Sequence, residues 1–228
     1  MHETEKKKVA AMVWPKYSVT VDLLNQNAKL VEWIKGHENG DIKCFRDRFD
    51  MYRLLNHDVV DNGPICYLEF GVWEGESLAG WAAINTNSNS RFYGFDSFQG
   101  LPEDLEHAFG RRMPKKRFDL KGNLPTFDDS RITLVNGWFQ HTLHSFLTET
   151  PLNSRLVIHN DSDLYSSTMY VLTALDKQLK PGDVIVFDEF TSPINEFRAW
   201  QEYLRCCMRT ASCVAMSDNW RQVSFVFD

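Results

Sequence analysis

The sequence has no long apolar run and no excess of positive charge. No stretch of its 228 residues approaches the roughly 20 consecutive apolar residues that a membrane-spanning helix needs. The formal net charge of −6 provides no basic surface for a nucleic-acid backbone, and the basic clusters at 6–8 and 115–117 are interpreted as solvated loops. We therefore expect neither a membrane nor a nucleic acid as a partner.

The cysteines form no recognisable disulfide or zinc pattern. The chain has 5 of them, which is an odd number, and no pair has the spacing of zinc ligands. No secretory signal segment opens the sequence. Reduced thiols are the simplest interpretation, so we expect a cytoplasmic location.

The sequence also lacks the G-x-G-x-x-G motif of dinucleotide-binding proteins. In its place, the apolar segment 65–70 reads as a buried strand that ends in a turn containing Gly71 and Gly75, and good helix formers follow from 76 to 84. Backbone N–H groups are accessible to a ligand in such a strand-to-helix turn. Glu69, two residues before the first glycine, suits a ligand with an amino group and a sulfonium better than a pyrophosphate, so we infer S-adenosylmethionine. The alternative is that these residues only shape a tight turn.

Polar and aromatic residues follow the next two predicted strands. Asp96 ends the strand 91–95, 25 residues after Gly71, where a carboxylate can accept hydrogen bonds from the two ribose hydroxyls of a nucleoside. Its alternative role is to cap the next turn. The segment 99–129 predicts a long functional loop or lid. Trp138 and Phe139 follow the strand 131–135 and either flank an adenine ring or are buried by packing.

Three carboxylates follow two further predicted strands. Asp161 comes after the strand 156–158, and Asp188 and Glu189 come directly after the strand 184–187. Carboxyl ends of parallel strands share one edge of the sheet, so these groups should converge with Gly71 and Asp96. Converging carboxylates repel unless one is protonated or a cation binds, and an all-oxygen ligand set favours Mg²⁺. Such a cation would lower the pKa of a bound hydroxyl. The alternative is a helix cap at Asp161 and a solvated turn at the acidic pair.

The segment before residue 60 has a helical pattern. Apolar residues recur at three- and four-residue spacing over 19–34, at Val21, Leu24, Ala28, Val31 and Ile34, and a second helix is predicted over 45–55. We predict an N-terminal helical appendage, residues 1–60, that stays outside the sheet and serves as a lid. The cofactor-binding domain would then span 61–228. Four residues of the appendage could reach a substrate, although charged residues on a helix are usually exposed to solvent. They are Arg46, Arg48, Tyr52 and His57.

Five stretches, in order along the chain, resemble the macrocin O-methyltransferase family of class I S-adenosylmethionine-dependent enzymes. They are 67–72 (YLEFGV), 94–102 (GFDSFQGLP), 137–143 (GWFQHTL), 161–168 (DSDLYSST) and 187–190 (FDEF). The resemblance implies a Rossmann-like α/β methyltransferase sheet that is mostly parallel, with helices on both faces. The segments 212–216 and 221–227 would form its last two strands, the final one antiparallel.

The resemblance also implies roles for individual residues. The residues that would contact the cofactor are Glu69, Gly71 and Gly75 at the methionine portion, Asp96 at the ribose, and Trp138 and Phe139 at the adenine, with Ser77 and Ser97 as further contacts. Mg²⁺ would be bound by Asp161, Asp188 and Glu189. The more usual third ligand in this family is Asp, and Glu189 is one methylene longer.

The chain lacks the lysine base of the related catechol O-methyltransferases, which lies three residues after the first metal-binding Asp. Leu164 occupies that position here. Asp161 is therefore the first candidate for accepting the hydroxyl proton, and His159 or His141 is the second. A lone histidine is more often a structural residue.

We therefore predict an S-adenosylmethionine-dependent O-methyltransferase that acts, with the help of Mg²⁺, on a hydroxyl of a small molecule such as a sugar or glycosylated metabolite. The alternatives are a dinucleotide-dependent oxidoreductase and a non-catalytic cofactor-binding protein. The sequence does not identify the acceptor or the oligomeric state, although methyltransferases of this kind are often homodimers.

Overall fold

A computed structural model describes residues 21–38, 40–106 and 112–228. Its main feature is an eight-stranded sheet. The strands of that sheet are β1 (Lys43–Phe45), β2 (Ile65–Phe70), β3 (Arg91–Asp96), β6 (Ile132–Asn136), β7 (Arg155–Asn160), β8 (Val184–Phe187), β9 (Ala211–Ser217) and β10 (Gln222–Phe227). The short strands β4 (Leu105–Glu106) and β5 (Arg112–Met113) pair separately.

Helices cover both faces of the sheet. They are α1 (residues 21–37), α2 (Arg48–Leu54, continued by a π-helical turn at Leu55–Val59), α3 (Glu76–Ile84), α4 (Phe139–Glu149), α5 (Tyr165–Leu175) and α6 (Glu196–Cys206). Side chains of α1, α4, α5 and α6 pack in the core on one face, and those of α2 and α3 pack on the other. No helix in the described ranges is both long and apolar enough to cross a membrane.

The sheet has the topology that the sequence predicts. Its order is β1-β9-β10-β8-β7-β2-β3-β6, and β10 alone runs antiparallel to its neighbours β8 and β9. Parallel strands that are buried on both faces have continuous apolar sequences, so β2, β7 and β8 could be recognised from the sequence. The prediction of a mostly parallel sheet with an antiparallel last strand is confirmed.

The strand β1 is a departure from the prediction. It pairs in parallel with β9, with Lys43 opposite Ala215, so the expectation that no residue before 60 joins the sheet is wrong for these three residues. The cause is the edge of β9, whose backbone N–H and C=O groups need partners that β1 supplies. The division at residue 60 stays a prediction, and residues 1–20 of the predicted appendage lie outside the described ranges.

The helix α1 packs mainly through a different face from the predicted one, although Ile34 of the predicted stripe is also packed against the core. Val21, Leu24 and Val31, which belong to the predicted apolar stripe, are 56%, 58% and 50% exposed. The buried face instead contains Leu30 and presents Trp33, whose ring lies 5.0 Å from that of Phe190. Periodicity identifies an apolar stripe but does not say what the stripe faces.

Candidate active site

A cavity of about 750 Å³ opens at the carboxyl ends of the parallel strands. Its wall is formed by the segments that follow β2, β3, β6, β7 and β8, by Arg48 at the start of α2, and by Arg221 just before the antiparallel β10. The wall includes the predicted site residues Gly71, Gly75, Ser77, Asp96, Ser97, Trp138, Phe139, Asp161, Asp188 and Glu189. The expected convergence of the glycine turn with the acidic strand ends is therefore observed.

The glycine turn allows close packing at the bottom of the cavity. Gly71 has φ +96°, and a Cβ added there would lie 1.9 Å from the carbonyl oxygen of Asp161. Gly75 has φ +82°, and its Cβ would lie 2.4 Å from the ring of Phe127. Both positions need the left-handed backbone and the absence of a side chain. The turn thus brings the end of β2 against the end of β7.

Glu69 lies behind the cavity wall. Its side chain is fully buried and accepts hydrogen bonds from the Ser77 hydroxyl at 2.9 Å and the Tyr67 hydroxyl at 2.5 Å. Ser77 itself lines the cavity. Glu69 therefore orients Ser77 and supplies negative charge close to the cavity without forming its surface.

Asp96 binds the backbone of two loops. Its Oδ2 accepts hydrogen bonds from the amides of Val72 and Trp73 at 2.8 and 2.9 Å, and its Oδ1 accepts one from the amide of Phe98 at 2.7 Å. The predicted alternative of a turn cap is thus present in the structure. A carboxylate has about four acceptor positions, so one remains for a ligand in the cavity.

The aromatic pair lies at the start of α4. Trp138 is the N-terminal flanking residue of that helix, and Phe139 packs edge-on against Phe70 with ring centroids 5.4 Å apart. Ser97 donates a hydrogen bond to the carbonyl of Gly100 at 3.0 Å. His141 is exposed on the first turn of α4 and is outside the cavity wall.

His159 lies between two carboxylates. The register between β2 and β7 places Glu69 opposite His159, so both side chains lie on the same face of the sheet. Its Nδ1 lies 2.8 Å from the Tyr67 hydroxyl and 3.3 Å from Glu69, and its Nε2 lies 3.8 Å from Asp188. The imidazole is fully buried and does not line the cavity.

These neighbours set the protonation state of His159. Burial lowers its pKa, but the hydrogen bonds and charges of Asp188 and Glu69 outweigh burial and raise the pKa to about 10. Burial also raises the pKa of Asp188, and His159, Arg48 and Arg221 together lower it to about 2. At neutral pH a charged imidazolium therefore links two carboxylates, and this position does not suit a general base.

Asp161 and Asp188 form the centre of an acidic cluster. Ligand atoms of His159, Asp161 and Asp188 lie within 4.8 Å of one another. Burial and then the charges of Asp188 and Asp163 raise the pKa of Asp161 well above its ordinary value. Among the residues that the structure describes, none donates a hydrogen bond to the Asp161 carboxylate. An acidic group in this state attracts a proton or a cation.

The residues fit Mg²⁺ at two of the three predicted positions. Asp161 and Asp188 offer converging hard oxygen ligands, as Mg²⁺ requires, with waters or a substrate oxygen completing its shell. Glu189 is held by Arg221, whose Nη2 lies 2.5 Å from Oε1. Glu189 would have to give up this ion pair to bind a metal.

Sequence reasoning gave no role to Asp163. It lines the cavity with a left-handed backbone, φ +59°. Burial and then the charges of Glu189 and Asp188 raise its pKa to about 7, while Arg221 and Arg117 oppose the rise. The signal available in the sequence was an acidic residue two positions after Asp161. Asp tolerates the left-handed conformation observed there better than most residues do.

Similar proteins are methyltransferases. A curated relative, demethyldecarbamoylnovobiocin O-methyltransferase of Streptomyces niveus, is 26% identical over 175 residues. That alignment covers 67% of this chain and 65% of the relative, so the chain spans slightly less than two thirds of the relative's length.

Two solved structures have the same fold. The calicheamicin methyltransferase CalS11 has a TM-score of 0.61 and 22% identity, covering 96% of this chain and 85% of that one. A structure described as cmcI-D160 Mg-SAM has a TM-score of 0.53 and 18% identity, covering 79% and 72%. The sequence profile of the macrocin O-methyltransferase (TylF) family matches residues 44–218, which is more than half of the sequence. The chain therefore belongs to the macrocin O-methyltransferase family.

Proposed function

We propose that the protein is an S-adenosylmethionine-dependent O-methyltransferase that acts on a hydroxyl group of a small molecule, a sugar or a glycosylated metabolite. The observation that carries the proposal is the meeting of the glycine turn, Asp96 and the acidic cluster around one cavity. Family membership and the O-methyltransferase names of the relatives support it. The name of the curated relative gives demethyldecarbamoylnovobiocin as the acceptor of that protein.

The cofactor would lie along the cavity from the glycine turn to the start of α4. Gly71 and Gly75 leave room for the methionine portion, with Ser77 and the buried Glu69 behind it. Asp96 would accept hydrogen bonds from the ribose, next to Ser97, and Trp138 and Phe139 would border the adenine. All but Glu69 of these residues line the cavity.

The acceptor hydroxyl would be methylated by in-line displacement at the sulfonium. Holding the two reactants in line supplies much of the rate acceleration. Asp161 and Asp163 both line the cavity, so the carboxylate of Asp161 is the first candidate proton acceptor and that of Asp163 is the second. Mg²⁺ held by Asp161 and Asp188 would lower the pKa of the hydroxyl. We assign no catalytic role to His141 or His159, because neither lines the cavity.

The helix α2 supports part of the predicted lid role for residues 1–60. Arg48, at the start of α2, lines the cavity and pairs with Glu76 and, at 3.4 Å, with Asp188. Its guanidinium therefore connects the segment before residue 60 to α3 and to the acidic cluster. A cytoplasmic location and a role without nucleic acid or membrane remain parts of the proposal that rest on the sequence, and a homodimer rests on the family resemblance alone.

The direct experiment is a calorimetric titration with S-adenosylmethionine, with NAD as the comparison ligand. We expect binding of S-adenosylmethionine and none of NAD, which separates the proposal from an oxidoreductase. Gly71→Ala should abolish binding because its Cβ meets the Asp161 carbonyl.

Gly122→Ala is the matched control, since Gly122 also has positive φ, +77°, but nothing lies within 4 Å of its Cβ. It should bind like the wild type. Absence of heat at millimolar S-adenosylmethionine, or tighter binding of NAD, would refute the proposal.

A further inference from the structure

A basic loop borders the cavity. Within 112–121, 5 residues are basic and only Asp119 is acidic, although the whole chain is net acidic. The 3₁₀ helix Lys115–Phe118 at the centre of this loop is attached to the cavity wall. The amide of Leu101 donates to the carbonyl of Lys115 at 2.7 Å, and both Leu101 and Phe118 line the cavity.

Four cations of this loop have no ion pair within the described ranges: the consecutive Lys115, Lys116 and Arg117, and Lys121 further along the loop. Arg112 is paired with Asp104 at 3.1 Å. Lys115, Lys116 and Arg117 are exposed, and none of the three forms an ion pair with any residue in the described parts of the chain. The arginines inside the cavity differ in this respect, because Arg48 and Arg221 are held by the carboxylates of the acidic cluster.

Arg117 lies beside a side chain of the cavity wall. Its Cζ is 5.9 Å from the centroid of the Phe118 ring, and Phe118 lines the cavity. The guanidinium is therefore next to the edge of the cavity.

The cavity thus has an acidic floor and a basic rim. The floor carries Asp161, Asp163, Asp188 and Glu189 and repels anions. A ligand that matches both ends presents a neutral hydroxyl to the floor and an anionic group to the rim. Three neighbouring cations match the multiple charge of a phosphate or diphosphate better than the single charge of a carboxylate.

We propose that Lys115, Lys116 and Arg117 bind a phosphate or diphosphate group of the methyl acceptor, so that the acceptor is a phosphate-bearing hydroxylated compound. This inference rests on the proposed function, because it names the substrate class of the same cavity. According to this inference, an uncharged glycoside is a poorer acceptor than the same compound with a phosphate or nucleotide attached.

Inorganic pyrophosphate is the probe for the test. It is titrated calorimetrically into the full-length protein saturated with S-adenosylhomocysteine, at low salt and with EDTA present so that no divalent cation carries the anion to the acidic floor. We expect binding that weakens as salt is added. The triple variant Lys115→Ser/Lys116→Ser/Arg117→Ser should bind pyrophosphate at least about tenfold more weakly, because three charge-assisted contacts are lost.

The control removes the same charge elsewhere. Lys177→Ser/Lys180→Ser/Arg205→Ser changes exposed cations near the amino ends of the parallel strands and should leave pyrophosphate affinity unchanged. Equal affinity of the loop variant and the wild type, or no binding by the wild type, would overturn the inference. Binding of S-adenosylhomocysteine is measured first in every variant: its absence in the wild type would count against the proposed function, and its retention in the loop variant shows that the variant is folded.

Discussion

At the scale of single residues, the buried imidazolium of His159 explains how two ends of the site are held together. It lies between Glu69, behind the glycine turn, and Asp188 in the acidic cluster. A buried charge is tolerated only when it is paired and hydrogen-bonded, and here each charge partners another. The sequence analysis named all three residues, with His159 as a second candidate for proton transfer and a structural role as its alternative. It could not decide between the two, because the spacing of strand ends does not reveal which side chains point away from the cavity.

Replacing His159 should therefore cost stability as well as function. His159→Asn removes the positive charge between two buried carboxylates, and we expect a loss of about 3 kcal/mol in the free energy of unfolding, as when one partner of a buried ion pair is removed. His141→Asn is the control because His141 is exposed. Urea unfolding followed by circular dichroism measures both. Equal stability of the two variants would show that the imidazolium does not hold the site together.

The ion pair of Arg221 with Glu189 leads to a prediction about metal affinity. If Glu189 completes the metal site, Arg221 competes with the metal for it. Arg221→Ala should raise the affinity for Mn²⁺ by up to about fivefold, which corresponds to about 1 kcal/mol, the upper range for an exposed ion pair. Arg205→Ala, an exposed arginine away from the cavity, should have no effect. Electron paramagnetic resonance titration of free Mn²⁺ measures the affinity, and a lower affinity in Arg221→Ala would exclude this competition.

At the scale of elements, the buried strands and the turn between β2 and α3 were the most predictable. The strands β2 and β8 and the helix α3 have the predicted bounds, because short continuous apolar runs and glycine turns are local signals. The joining of β1 to the sheet was not predictable, since Lys43–Phe45 is short and its pairing depends on the distant edge of β9. The helix α1 was predicted, but the face it packs with was not.

The packing of α1 gives a matched pair of variants. Leu30 is 6% exposed and belongs to the core, whereas Leu24 on the predicted stripe is 58% exposed. We expect Leu30→Ala to lower the free energy of unfolding by about 2–4 kcal/mol and Leu24→Ala by less than about 0.5 kcal/mol. Chemical unfolding of both variants decides between the two faces. A larger loss for Leu24→Ala would mean that the predicted stripe is the packed face.

The contact between α5 and α6 has a pH dependence. Asp176, at the end of α5, accepts hydrogen bonds from Arg209 and Tyr203, each at 2.9 Å, and the bond from Arg209 is the main reason that its pKa is lowered from 3.8. A carboxyl with a lowered pKa stabilises the fold above its unfolded pKa and loses this contribution as the pH falls through the folded value.

Asp176→Asn should therefore cost about 1 kcal/mol at about pH 7 and less at about pH 3. Urea unfolding at the two pH values measures the difference. Asp128→Asn is the control because Asp128 is exposed and has no hydrogen bond within the described ranges. A cost that is the same at both pH values would rule out an ionic contribution of Asp176.

At the scale of the whole molecule, one sheet edge organises the site. Because the parallel strands end together, segments distant in the sequence deliver Gly71, Asp96, Asp161 and Asp188 to one cavity. This convergence could be predicted from strand order alone. The ion pairs within it could not, because Arg48 and Arg221 reach the acidic cluster from α2 and from the turn before β10, and sequence spacing does not encode such contacts.

The central claim is that methyl donor and acidic cluster share this cavity. A crystal structure of the complex with S-adenosylhomocysteine and Mn²⁺, with the anomalous signal of manganese recorded, tests it most directly. We expect the ribose hydroxyls within hydrogen-bond distance of Asp96, the sulfur facing the acidic cluster, and the manganese peak between Asp161 and Asp188. Ligand density outside the cavity, or at the opposite edge of the sheet, would contradict the claim.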